Sequence, residues 1–244
     1  MRSLTKILMV TVLVALTGYV FALAGNVKST ALNQNDTQDR HLSGFNAVSV
    51  AGSFDVYITQ GSSESVKVEA PSDVIDRIIT EVDGGVLKIY TKNNTHFNWG
   101  KNRKMVIYVA LKDVKDISLA GSGDIFFKDG LRAPSLSLKL AGSGDITGKL
   151  DVNKLESSIA GSGDITLTGR AQNSSIRVVG SGDYTANSLT TVTAAVSIAG
   201  SGDARVNVSE KLDASVMGSG DVHYTGSVKN ISTSKSGSGS ISRM

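Results

Sequence analysis

Six aspartates recur along this chain at a nearly constant spacing: Asp124, Asp145, Asp164, Asp183, Asp203 and Asp221. Each closes the phrase Gly-Ser-Gly-Asp, and a seventh copy ends on Ser240 instead, with the fourth residues 21, 19, 19, 20, 18 and 19 positions apart. A column of carboxylates has three chemical uses. It could bind Ca²⁺ through carboxylate, Ser or backbone oxygens. It could act pairwise as a retaining glycosidase, whose two carboxyls stand about 5 Å apart. Or each Asp could cap a turn by accepting backbone N–H bonds. Like charges stacked at about 5 Å repel by about 1 kcal/mol per neighbouring pair in a watery dielectric, so the column asks for cations, raised pKa values or strong local hydrogen bonds. Catalysis needs one place with two differently tuned carboxyls, whereas six equivalent contexts argue for structure, and no enzyme is expected. The calcium nonapeptide Gly-Gly-x-Gly-x-Asp does not occur. The Asp124–Asp221 column therefore stands as a candidate cation site, with turn capping as its alternative and no cofactor required.

No other catalytic set emerges. Cys is absent, and His41, His96 and His223 are scattered. The Gly-Ser-Gly phrases belong to the repeat and match neither a nucleophile elbow nor a phosphate loop. One irregular group, Arg177, Tyr184, Arg205, His223 and Tyr224, offers varied polar groups, but its two tyrosines fall on core positions.

The elements that must carry the aspartates follow from the flanking residues. Two positions before the first Gly the repeats read Leu119, Leu140, Ile159, Val178, Ile198 and Val216; directly after the Asp they read Ile125, Ile146, Ile165, Tyr184, Ala204 and Val222. Both columns are apolar and share one period-two parity, the pattern of a strand. Repetition near 19 residues makes the fold class all-β, a β-helix-like solenoid with Gly-Ser-Gly-Asp corners, each coil burying its apolar face on its neighbours. The same parity sends both glycines inward, bending the strand around a tight interior corner. It sends Ser, Asp and the residue two after Asp outward: Phe126, Thr147, Thr166, Thr185, Arg205, His223 and Ser242. Coils lie about 4.8 Å apart, so Ser143, Asp145, Thr147, Ser162, Asp164, Thr166, Ser181, Asp183 and Thr185 form a laddered polar face and the candidate ligand-binding residues. A flat Thr face could also order ice, but the charged middle column speaks against it.

Residues 43–119 read as an irregular first part of the same domain, and 120–244 as its regular repeats. Strands are expected at 45–50, 54–59, 65–69, 86–91, 105–111 and 114–119, with a turn at Asp83-Gly84-Gly85. Gly52-Ser53-Phe54-Asp55 is a degenerate copy of the phrase with Phe54 in the second Gly slot. Pro71-Ser72-Asp73 opens a short helix reaching Ile79. Residues 92–104 are an insertion in which Phe97 and Trp99 sit among amides and cations; they could stack on a sugar ring or cover one end of the solenoid. In the last repeat the inward slots become Thr233 and Lys235, as in a terminal cap.

Arg2 and Lys6 precede an apolar run, and Ala22-Leu23-Ala24 offers small residues to a signal peptidase, predicting a signal peptide over 1–24. A membrane anchor is the alternative, since 7–24 just reaches the length of a span. Residues 25–42 are polar and aperiodic and read as a flexible leader. Removing Arg2 and Lys6 leaves 23 basic against 22 acidic residues, a net charge of +1, and no basic stripe points to nucleic acid.

The repeated Gly-Ser-Gly-Asp-Ile, with the openings Phe45-Asn46-Ala47-Val48-Ser49-Val50 and Phe54-Asp55-Val56-Tyr57-Ile58-Thr59-Gln60-Gly61, resembles the putative auto-transporter adhesin, head GIN domain family of exported bacterial proteins. The resemblance covers about residues 43–244. It implies a β-helix-like fold, a place in the periplasm, at the outer membrane surface or outside the cell, and an adhesin without catalytic residues; with the polar ladder and the Phe97–Trp99 loop it leads to the expectation of a module that binds an extended ligand such as a glycan or cell-surface component, the alternative being a structural or regulatory envelope protein without a small ligand. The lipidation cysteine that many members carry is missing here.

Overall fold

The computed structural model describes residues 35–92 and 104–244. The expected signal peptide, residues 25–34 of the leader, and Phe97 and Trp99 lie outside the described residues. Within them nearly everything is strand, and the sole helical piece among the described residues is a 3₁₀ turn at Ile75–Arg77.

Five long bent strands form the body: β9 (Asp124–Gly142), β10 (Ile146–Gly161), β11 (Ile165–Gly180), β12 (Tyr184–Gly200) and β13 (Ala204–Gly218). Each pairs in parallel with the next, and the fold is a β-solenoid of about 7 turns with coils of about 19 residues. The register aligns Ile125, Ile146, Ile165, Tyr184, Ala204 and Val222 in one column. A second column aligns Gly142, Gly161, Gly180, Gly200 and Gly218. One coil, β10, buries Ile146, Leu150, Val152, Leu155 and Ile159. Burying such side chains contributes about 1.5–3 kcal/mol each, and since parallel coils are covered by their neighbours, one core runs continuously through the stack.

The last coil, β14 (Val222–Thr225), β15 (Asn230–Gly237) and β16 (Ile241–Arg243), pairs in parallel on β13 and β14. All of β15 is exposed, and Thr233 and Lys235 stand beside Ala214 and Val216. Polar residues thus take the inward slots where no further coil is described.

The first part departs from sequence order. β2 (Ala47–Gly52) lies between β6 (Val86–Thr91) and β8 (Asp116–Gly121), while β3 (Asp55–Gln60) lies between β7 (Val106–Leu111) and β9. The coil made by β6 and β7 therefore stacks outside the earlier β2–β3 coil. Beyond it the sheet turns antiparallel, with β5 (Ile78–Asp83) on β6, β4 (Ser65–Pro71) on β7, and β1 (Asn35–Asp39) on β4.

Two expectations change here. Residues 35–39 belong to the polar leader yet form β1, because an edge strand needs backbone partners rather than an apolar face; its side chains stay largely exposed. The helix expected from Pro71 does not form. Pro71 ends β4, and Ile78 is already paired with Thr91 in the β5–β6 hairpin, which leaves too few residues to nucleate a helix. That hairpin turns through Gly84 and Gly85, both at positive φ (58° and 79°), as the Asp-Gly-Gly sequence requires.

The glycine columns are also corrected. The second glycine of each phrase is buried as its parity indicated and no side chain would fit at either position, but the obstacle lies one coil away: a methyl built on Gly161 would overlap the carbonyl oxygen of Gly142, its counterpart one coil earlier, and one on Gly163 would overlap that of Gly144. The missing side chains point along the stack, where adjacent backbones touch. Phe54 keeps its side chain because its own outer neighbour is the β6–β7 coil, which lacks the phrase, and its buried ring covers Gly52. Among the described residues no helix is long and apolar enough to cross a membrane.

Candidate ligand-binding face

At each corner the regular ladder would leave amide groups unpaired, and the phrase satisfies them. Ser162 and Gly163 both donate to the Gly142 carbonyl (2.9 and 3.1 Å), and Ile146 donates to the Asp164 carbonyl (2.9 Å). The remaining amide, that of the Asp itself, donates to the carboxylate one coil earlier. Asp145 N–H binds Asp124 Oδ1 at 3.0 Å, and the pattern repeats for Asp164 on Asp145, Asp183 on Asp164, Asp203 on Asp183 and Asp221 on Asp203 at 2.8–3.0 Å. Asp221 receives both the N–H and the hydroxyl of Ser240 (2.7 and 2.9 Å). These bonds, the hydroxyl's first, hold its carboxyl below the usual range. Ser240 has no described coil after it whose amide would need a carboxylate.

The column thus performs the capping role, and among the described residues no group of three or more His, Cys, Asp or Glu could hold a metal ion. Capping sets a measurable expectation. Asp164→Ala strands the Asp183 amide and lowers stability by about 1–2 kcal/mol, whereas Asp164→Asn keeps an acceptor oxygen and loses less than half of that. Chemical denaturation of the two variants checks it; equal losses would mean that charge, and not the hydrogen bond, is what the column supplies.

The polar face is assembled as its sequence indicated. Ser143, Ser162 and Ser181 are exposed, Asp145 and Asp164 exposed, and Asp183 half-buried. Thr147, Thr166 and Thr185 are half-buried and aligned in register. Further along the same column Arg205 sits 3.9 Å from Asp183 and 3.6 Å from Asp203, and His223 Nδ1 pairs with Ser242 Oγ at 3.0 Å. Tyr184 is fully buried, and Tyr224 packs partly buried against the core, so neither joins a surface site.

In the other direction the column becomes aromatic. Phe126 is in register with Thr147, Tyr57 with Phe126, and Tyr108 with Tyr57. The Tyr57 ring stacks on Phe126 at 5.1 Å and 24°, and on Tyr108 at 5.6 Å and 22°; the Lys128 ammonium lies 5.5 Å from the Phe126 ring centre. Because Tyr57 has a ring on each face, what this strip offers outward is ring edges and phenol hydroxyls, with Tyr108 43% exposed. Sequence reasoning placed Phe126 here but missed its companions. Tyr57 was within reach, lying two residues after Asp55 of the degenerate phrase; Tyr108 was not, because its neighbour is set by the out-of-order stacking of β7.

Residues 44–228 match the family described as putative auto-transporter adhesin, head GIN domain. No curated protein matches the chain. Among solved structures, it is similar to a "putative adhesin" from Bacteroides fragilis NCTC 9343 (TM-score 0.81, 27% identity, covering 86% of this chain and 97% of that one). It is also similar to a "putative lipid binding protein" from Parabacteroides distasonis ATCC 8503 (0.70, 27%, 87% and 98%). A "putative adhesin" from Parabacteroides merdae ATCC 43184 shares the fold (0.69, 20%, 87% and 97%).

Proposed function

Since the chain belongs to the putative auto-transporter adhesin, head GIN domain family, we propose that it is an exported, non-enzymatic adhesion module that holds an extended glycan of a cell surface along its laddered face. The observation that carries this is the strip Tyr108–Tyr57–Phe126 continuing in register into Thr147, Thr166 and Thr185. Rings spaced 5.1 and 5.6 Å apart repeat at a rise comparable to one pyranose in an extended chain. The outward ring edges, positive by their quadrupole, and the phenol and Thr hydroxyls suit the oxygens of sugars, without displacing the capped aspartates. The apolar run over residues 7–16 and Ala22-Leu23-Ala24 support export, and Phe97 and Trp99 belong to the segment joining β6 to β7, the coil that carries Tyr108.

The test is a glycan array probed with the full mature chain, followed by calorimetry on the best oligosaccharide. Tyr57→Ala removes the middle ring and weakens binding by about tenfold or more, given about 1–3 kcal/mol for a buried aromatic contact, while Ser219→Ala leaves it unchanged. Trp99→Ala reports whether the 92–104 segment shares the ligand. Because one structural relative carries a lipid-binding title, phosphatidylcholine vesicles are run in parallel; vesicle binding with a silent glycan array would overturn the proposal.

A further inference from the structure

Downstream of the aromatic strip, where β3 and β7 end and β9, β10 and β11 make their second bend, lies an open groove of about 890 Å³. Four cations, Lys112, Arg132, Lys149 and Arg170, and two carboxylates, Asp129 and Asp151, line it. Its wall is fixed by Gln60, whose carboxamide stands in for a missing stretch of ladder: Oε1 accepts Arg132 N–H at 2.7 Å, and Nε2 donates to the Arg132 and Lys112 carbonyls at 3.0 and 2.9 Å. Arg132, Asp151 and Arg170 follow one another in register. Arg170 grips Asp151 with two bonds, 3.1 and 2.8 Å. A single carboxylate thus sits between two guanidiniums. The Lys149 stem crosses Gly130, with Cγ and Cδ 3.8 Å from where a side chain would begin. Lys112 reaches Glu64 only at 4.0 Å. Among the described residues no ion pair within 4 Å involves the side chains of Arg132, Lys149 or Asp129, and four cations against two carboxylates leave the lining net positive, in a concave site where field lines concentrate.

Tyr57 precedes Gln60 by three residues on β3, about 10 Å at the rise of a strand. The groove therefore runs alongside the ring strip, so acidic groups on that side of a chain lying there face it. We propose that the glycan is acidic: a carboxylate- or sulfate-bearing oligosaccharide whose sugar units lie along the ring edges and phenols of Tyr108–Tyr57–Phe126 and whose negative groups enter the groove and pair with Arg132 and Lys149. This rests on the glycan reading above and adds the class of sugar. Guanidinium and ammonium groups suit these oxyanions by charge-assisted hydrogen bonds.

The experiment is calorimetry of the full mature chain with three probes: an α-1,4-trigalacturonate, the neutral α-1,4-galactose trimer, and that trimer carrying 6-O-sulfates. An acidic trimer is expected to bind about tenfold or more tightly than the neutral one at about 0.05 M salt, with the preference shrinking at about 0.5 M. Arg132→Gln with Lys149→Gln, both exposed positions, erases the preference and leaves the neutral affinity in place. Which acidic trimer binds assigns carboxylate or sulfate. Equal affinity for charged and neutral trimers would overturn the acidic-glycan inference while leaving the adhesion proposal standing. Acidic binding that survives Tyr57→Ala undiminished would overturn the joint placement and the ring-strip reading together. No binding of any trimer would overturn both.

Discussion

Gly161→Ala is expected to cost more than about 4 kcal/mol of folding stability, placing it among the rare large single-residue losses. Two independent penalties act there. Gly161 has φ +133°, a region L side chains rarely adopt,. Its added methyl would also overlap the backbone oxygen of Gly142, not a flexible side chain. Relieving the overlap means moving two coils apart, which breaks the bonds from Ser162 and Gly163 to Gly142 (2.9 and 3.1 Å) and weakens that from Asp164 to Asp145 (3.0 Å). The neighbouring Ser162→Ala, exposed and pointing away, changes stability by less than about 0.5 kcal/mol. Urea unfolding followed by far-ultraviolet dichroism compares them. Should Gly161→Ala fail to accumulate as folded protein while Ser162→Ala does, the expectation holds; a loss below about 1 kcal/mol would show that the corners yield, and the close-contact account of the glycine columns would fail.

The second large effect is a loss of stability in alkali that one side chain controls. Tyr184 occupies the core column between Ile165 and Ala204 and is wholly buried. Burial pushes its phenol up to about 12, the hydroxyls of Ser157 and Ser174 beside it opposing the shift. None of these three buried hydroxyls closes a hydrogen bond of ordinary geometry. An unfolded tyrosine ionises near pH 10. The folded pKa is therefore raised, so the stability due to the neutral phenol is whole below about pH 10 and drains away as pH climbs towards about 12. At about 1.4 kcal/mol per unit the loss reaches about 3 kcal/mol. Tyr90, half-buried and raised by its bond to Glu81, bends the curve the same way, so the informative quantity is the difference from Tyr184→Phe. That variant loses the extra alkaline slope. Near neutrality it is as stable as the parent or slightly more so, since it removes an unsatisfied buried hydroxyl. Identical alkaline slopes in both proteins would refute the assignment.

The Ile125-to-Val222 column and the phrase at Gly121 to Asp124 repeat locally, so parity alone sorted core from surface, and every outward residue from Ser143 to Thr185 lies where that parity put it. Gly52 and Asp55 also align with Gly121 and Asp124 as the worn copy implied. Direction was less legible than position. Parity distinguishes in from out, but the missing side chains of Gly161 and Gly163 point along the stack, an axis that a single strand's pattern does not contain. Likewise, a column of aspartates was evident, but whether it met cations or amides depended on the 2.8–3.0 Å geometry between coils.

Period two within a strand and a repeat along the chain are enough to specify a β-solenoid of about 19-residue coils, the two apolar columns flanking each phrase, and the polar ladder. Which coil lies on which is fixed only in the folded stack. The β6–β7 coil stacks outside β2–β3, bringing Tyr108 against Tyr57 across 51 positions of sequence, and Gln60 reaches Arg132 across 72. Such neighbours are chosen by burying the open end of the core and pairing its edge, a condition on the whole stack. The ring strip and the cationic groove arise there, at the end where chain order and stacking order part.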